Sequence, residues 1–314
     1  MTRTDSLWAA LVSVIWGVNF VAIDASLDDF PPFLLAALRF TLVAFPAVLF
    51  IKRPKTSWWL IIGVGLTVNV GQFAFLFSAM HAGMPAGLSS VVIQCQAMFT
   101  VLFAVVMLRE IPGRTRLISL AVAALGMGVI AFGRGQGASL WPFVLVIGAG
   151  ASWGFGNMLT RKAGIPGGTG LVVWSALAAP LPLLALSLTV EGPGRDLDAL
   201  TSASWSGVGG LAFTVVLSSW LGYGLWFALL GRRSASAVAP YGLLVPIVGI
   251  LTAWAILGER PGRLESLGAA IVLIGIGLAT LTGTPKPPPT TLTPPPTNPP
   301  LPPLPLETTG GSRT

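Results

Sequence analysis

The chain has 314 residues, 54% hydrophobic and 9% charged, with a net charge of +7, whereas a soluble domain carries about 25% charged residues. So few charges cannot cover so much apolar surface in water, which excludes a water-soluble enzyme and makes lipid the main solvent. Nucleic-acid binding is excluded too, because the basic residues sit in short clusters between apolar runs, as in a polytopic membrane protein.

A transmembrane helix needs about 20 mostly apolar residues. Ten windows qualify in chain order: 7–23, 31–51, 58–79, 86–108, 117–133, 141–159, 169–189, 205–230, 235–257 and 264–282. They are too long, and alternate too little, for barrel strands. The fold class is all-α, a polytopic bundle. The first window follows a short basic tip without a small-x-small cleavage site, so it reads as a retained helix. It carries Trp16, with Asn19 three residues on along one face. The second carries Arg39 about 12 Å below the surface. A central arginine costs at least about 2.5–3.5 kcal/mol, so it needs a water-filled cavity or a partner, and Asp24 is one candidate. The guanidinium fork suits a substrate carboxylate and equally suits a structural arginine that pins helices together.

The third window holds Asn69 and Gln72 on one face, and the fourth holds Gln94 and Gln96 on nearly opposite faces, with Ser89, Ser90 and Thr100 beside them. Asn157 follows Trp153 in the sixth. Tyr223 and Tyr241, the only tyrosines, fall in the eighth and ninth. For each amide and hydroxyl, helix-to-helix hydrogen bonding competes with substrate contact. Trp58, Trp59 and Trp141 read as interfacial anchors; Trp174 and Trp226 lie deeper. Pro240 and Pro246 interrupt the ninth window and free carbonyls, for gating or for packing. Connections are built from breakers, and the stretch 191–202, opening Glu191-Gly192-Pro193-Gly194-Arg195, reads as a loop.

With both termini cytoplasmic, the inner side collects 13 basic residues against four outside, Arg134, Arg195, Arg260 and Arg263. The stretch LREIPGR at 108–114 returns as LGERPGR at 257–263, and at the same offset Gly126 and Gly128 fall on Gly275 and Gly277. Trp16-Gly17 likewise recurs as Trp153-Gly154. The chain therefore divides into two five-helix repeats, 1–134 and 135–283. An odd number of spans per repeat inverts the second, the arrangement of alternating-access transporters. Residues 284–314 hold 12 of the 26 prolines and form a disordered, polyproline-like cytoplasmic tail. The single Cys95 allows no disulfide framework and no thiolate metal site. No Walker loop, HExxH or GxSxG motif is present, so the sequence calls for neither ATP, metal nor cofactor.

These spans, the repeat and the stretches WGVNF (16–20), PPFLLAALRFTLVAFPA (31–47), QFAFLF (72–77), GMPAGLSSVVIQCQAMFT (83–100), WSAL (174–177), GYG (222–224) and APYGLLVPIVG (239–249) resemble the drug/metabolite transporter superfamily, in its ten-helix EamA-type exporter branch. The likeness spans residues 1–283. It implies export of small amino-acid-like metabolites through the bacterial inner membrane, with cysteine and O-acetylserine the favoured cargo. Efflux of lipophilic cations or drugs is the alternative within transport. An intramembrane enzyme or a sensor subunit is the alternative outside it. The expected substrate-binding set is Arg39, Asn19, Trp16, Asn69, Gln72, Gln94, Gln96, Asn157, Tyr223 and Tyr241.

Overall fold

The computed structural model describes residues 1–281 apart from 110, 136, 163–167 and 234; the proline-rich tail and Glu110 of the first LxExPGR motif lie outside the described residues. Among the described residues, ten helices are long and apolar enough to cross a membrane: α1 (Arg3–Leu27), α2 (Pro32–Phe50), α3 (Trp58–His81), α4 (Ala86–Leu108), α5 (Arg114–Arg134), α6 (Trp141–Arg161), α7 (Thr169–Glu191), α8 (Trp205–Arg232), α9 (Pro240–Leu257) and α10 (Arg263–Thr280). No strand occurs among the described residues.

The ends depart from the hydropathy windows where polar caps add turns. Helix α1 starts four residues early because Thr2 and Asp5 form a reciprocal capping box. Asp5 also pairs with Arg233 at 2.6 Å, tying the start of α1 to the end of α8. Pro46 breaks α2 into Pro32–Ala44 and Ala47–Phe50, since proline lacks the N–H that an unbroken helix needs there. The expected loop at 191–202 is instead largely a helix, Pro193–Ser202. Gly192, at φ 94°, makes the reversal and Pro193 occupies the first helical turn, where its missing N–H is no loss. Leu197 and Leu200 on this short helix stay exposed, as on a helix lying in the membrane interface. Pro246 does not interrupt α9. It falls in the first turn of the α-helical stretch Leu244–Thr252, behind a 3₁₀ turn at Ala239–Leu243 that contains Pro240.

Glycines set how closely the helices approach. Helices α5 and α10 run antiparallel, with Gly126 against Gly268 and Val272, and Gly275 against Ser119 and Ala123. A Cβ on Gly275 would stand 2.6 Å from the Ala123 nitrogen, so backbone meets backbone there. Helix α2 is antiparallel to α7: Phe33 meets Glu191 at one end and Ile51 meets Trp174 at the other. Helix α4 is antiparallel to α9, with Gly87 near Ala253 and Ser90 near Pro246. Helix α1 lies along α8 in the opposite sense, through Gly210 and Gly222, and along α9 in the same sense, through Gly17. Helix α6 repeats that relation: antiparallel to α3 through Gly71 and Gly156, parallel to α4 through Gly150 and Gly154. The core gathers around α1, which packs against α2, α3, α4, α8 and α9.

Side-chain bonds link the helix ends on the face away from the N-terminus, here called the distal face. Both oxygens of Glu191 accept from Phe33 N and Leu34 N at 2.7 and 3.1 Å. Both oxygens of Glu259, in LGERPGR, accept from Ala86 N and Gly87 N at 2.6 and 2.9 Å. Each carboxylate thus caps the first turn of a helix opposite its own, satisfying free donors and complementing the helix dipole.

Candidate substrate-binding site

Arg39 is only 2% exposed, one of the largest fully buried side chains of the protein. Its position is dictated by α2, which starts at Pro32 on the distal face and carries Arg39 two turns inward. No carboxylate among the described residues pairs with it. Asp24 sits near the end of α1, about 5 Å from its last residue, and forms no ion pair with it. The guanidinium carbon lies 4.3 Å from the Phe73 ring centre and 5.6 Å from that of Phe40, and a desolvated contact of this kind contributes about 2 kcal/mol. Nη2 donates to Ser219 Oγ at 3.3 Å, and that hydroxyl in turn donates to Thr214 O at 2.8 Å. Nε and Nη1 are buried without a protein acceptor. Stranding a buried donor costs about 1–3 kcal/mol, so the fork is held in place with two donors unspent.

Other unpaired atoms come from neighbouring helices. Asn19 Oδ1 on α1, Gln72 Oε1 on α3 and Ser89 Oγ on α4 are all buried without a partner among the described residues. Trp16, one turn before Asn19, donates Nε1–H to Ser218 O at 3.1 Å. Its ring lies 5.2 Å from both Tyr223 and Trp226 of α8, and Tyr223 stacks on Phe227. Gly222 makes room for Trp16, because a Cβ there would come within 2.6 Å of the indole nitrogen. Helices α3 and α8 widen into π-helical turns over Gly65–Gly71 and Phe213–Gly222, ending directly before Gln72 and Tyr223. Such turns shift the side chains that follow and recur at functional sites.

The remaining expected residues are used differently. Asn69 donates to Ser175 Oγ of α7 at 3.2 Å. Asn157 donates to Gln96 Oε1 at 2.9 Å and to Thr100 Oγ1 at 3.1 Å, fastening α6 to α4. Gln94 is half-buried and makes no side-chain hydrogen bond among the described residues. Tyr241 packs with Trp226 beside Ala9, Leu229 and Val238, and its carbonyl accepts from Ser13 Oγ. Pro246 is buried with its carbonyl 3.4 Å from Ser90 Oγ. Ser219, Phe73, Glu191 and Glu259 are contributors that the sequence reading missed. For Ser219 the available signal was the Ser218-Ser219 pair in an apolar span, and for Glu259 the repeated motif itself.

A groove of about 280 Å³ opens between α2, α7 and α8 at the Pro46 break, walled by Val43, Pro46, Val172, Trp220 and Tyr223 and reaching Ser219. Trp220 Nε1 donates to Val43 O at 3.2 Å and Trp174 Nε1 to Ile51 O at 2.8 Å, holding the backbone on either side of the break.

The sequence pattern of the EamA-like transporter family matches residues 4–132 and again 140–281. A protein of Salmonella typhimurium (strain LT2), named "Probable amino-acid metabolite efflux pump", is 42% identical over 282 residues, covering 88% of this chain and 94% of its own. A protein of the same name from Escherichia coli (strain K12) is 39% identical with the same coverage. One solved crystal structure shares the fold at a TM-score of 0.60 and 18% identity, over 90% of this chain and 98% of its own. The chain belongs to the EamA-like transporter family, and is thus a multi-pass membrane transporter rather than an enzyme.

Proposed function

We propose that the protein exports small amino-acid-like metabolites across the bacterial inner membrane, without ATP, by alternating access of two inverted halves, residues 1–134 and 135–283. The names of the two relatives support the cargo class. The packing supports the inversion: equivalent helices α2 and α7, α4 and α9, and α5 and α10 run antiparallel, and α1 stands to α8 and α9 as α6 stands to α3 and α4. Two halves of this kind exchange shapes around a midplane site. Both termini face the cytoplasm in this reading, and cysteine and O-acetylserine are the favoured cargo.

The observation that carries the reading is the buried Arg39 fork with Nε and Nη1 unpaired. Nη2 keeps a second N–H beyond its Ser219 bond, and paired with the unspent Nη1 or Nε on the same side it offers a carboxylate a bidentate grip, while the acceptors of Asn19 and Gln72 suit an ammonium or hydroxyl group of a compact zwitterion. Arg39→Lys keeps the charge and loses the fork. Counterflow of labelled cysteine and O-acetylserine into vesicles should fall about tenfold or more for Arg39→Lys and further for Arg39→Gln. Transport by both variants at the parent's rate, at equal protein level, would falsify the carboxylate role.

The apolar groove at Pro46 favours a second reading, efflux of lipophilic cations drawn from the bilayer. In the same vesicles, an organic cation that outcompetes both amino acids would replace the first reading with this one.

A further inference from the structure

Three of the four basic residues that the charge count puts on the minority side converge on one place. Arg134 and Arg263 wall a cavity of about 380 Å³ at the distal ends of α5 and α10, together with Gly133, Gly262, Leu264 and Glu265. Arg134 and Arg260 also wall a smaller cavity of about 140 Å³ beside it. The carboxylates nearby are already engaged. Glu259 spends both oxygens on Ala86 N and Gly87 N. Glu265 accepts from Gly262 N at 2.7 Å and stands 3.6 Å from Arg134 Nη1.

The donors are not matched in the same way. Arg134 is 5% exposed; its Nη2 reaches Gly83 O at 3.3 Å, and its Nε is buried without a partner. Arg260 and Arg263 make no hydrogen bond or ion pair among the described residues. The first turn of α10 adds backbone N–H groups and the positive end of an 18-residue helix dipole. Exposed Leu140, Trp141, Leu264 and Leu267 lie along the same rim, and tryptophan there marks the level of the lipid headgroups. Basic pockets between helices at that level suit phosphate groups.

We infer that Arg134, Arg260 and Arg263 bind a phosphate oxyanion at the distal junction of α5 and α10, carried by a phospholipid headgroup or as free phosphate. The sequence repeat pairs Arg263 with Arg114 but sets Arg260 opposite Ile111; the cavity gives both a ligand.

Arg134→Gln also removes the contacts to Gly83 and Glu265, so the test uses Arg260→Gln and Arg263→Gln, which break no side-chain hydrogen bond or ion pair among the described residues. Full-length protein in detergent is titrated with phosphatidylglycerol, diacylglycerol and inorganic phosphate, and binding is read by native mass spectrometry and melting temperature. The parent should retain phosphatidylglycerol over diacylglycerol, and each variant should weaken that retention about tenfold, as expected for one charge-assisted contact. An equal melting shift with inorganic phosphate identifies free phosphate as the ligand of the same site. Equal binding of diacylglycerol, unchanged binding by both variants, or an equal loss in an Arg195→Gln control overturns the assignment.

Discussion

On α3, Asn69 and Gln72 lie one turn apart and both are buried, yet they differ in what they meet. Asn69 gives its amide to Ser175, whereas Gln72 Oε1 has no donor within reach. The same division separates two polar layers of the bundle. Asn157, Gln96 and Thr100 satisfy one another between α6 and α4, while Asn19 and Arg39 keep unpaired atoms toward the distal half. Arg39 aside, residue type does not distinguish the layers, because both draw on amides and hydroxyls. What distinguishes them is whether the facing helix supplies a partner. A paired layer fastens helices; an unpaired one persists where a ligand or water completes it.

Three experiments sharpen that contrast. The largest effect should come from the double variant Asn19→Leu with Gln72→Met, which removes two stranded acceptors without opening cavities. Export should drop about a hundredfold if each acceptor contributes about 1.4 kcal/mol to cargo binding, while the melting temperature holds or rises. A fall in melting temperature with export intact would erase the distinction. Next, Asn157→Leu strands Gln96 Oε1 on α4, while Thr100 keeps its bond to Gln96 O, and should cost about 1–3 kcal/mol of stability, with the apparent affinity for cargo unchanged; a weakened affinity in counterflow would move Asn157 into the binding layer. The smallest effect belongs to Asn69→Ala, about 0.6 kcal/mol by the average for interhelical hydrogen bonds. Unfolding in graded denaturant would detect it, and a loss of several kcal/mol would mean that Asn69 anchors more than Ser175.

The spans were legible because bilayer thickness imposes a length that hydropathy reads directly, and the ten helices follow the windows to within a few residues at most ends. The short helix at Pro193–Ser202 was not, because Gly-Pro-Gly reads as punctuation when the same proline also serves as a helix start. Arg39 announced itself through the cost of its depth. Its neighbours did not: Ser219 lies 180 positions away, and Phe73 looks like any core aromatic until its face is seen under the guanidinium. Which amides are paired was equally hidden, since Asn157 meets Gln96 only after two helices have fixed both rotation and depth. The repeated glutamate showed that something was retained, and only a contact spanning 173 positions shows what it does.

That contact has a mechanical corollary. Glu191 at the end of α7 and Glu259 just past the end of α9 each grip the opening turn of a helix nearer the N-terminus, α2 and α4. Prising α4 from α9 at that end must release both N–H groups of one carboxylate together, and bonds to a charged acceptor contribute about 1.5–3 kcal/mol each. If the halves rock as proposed, the mouth on that face should therefore act as a snap fastener, either shut or fully sprung, with no stable half-open position between.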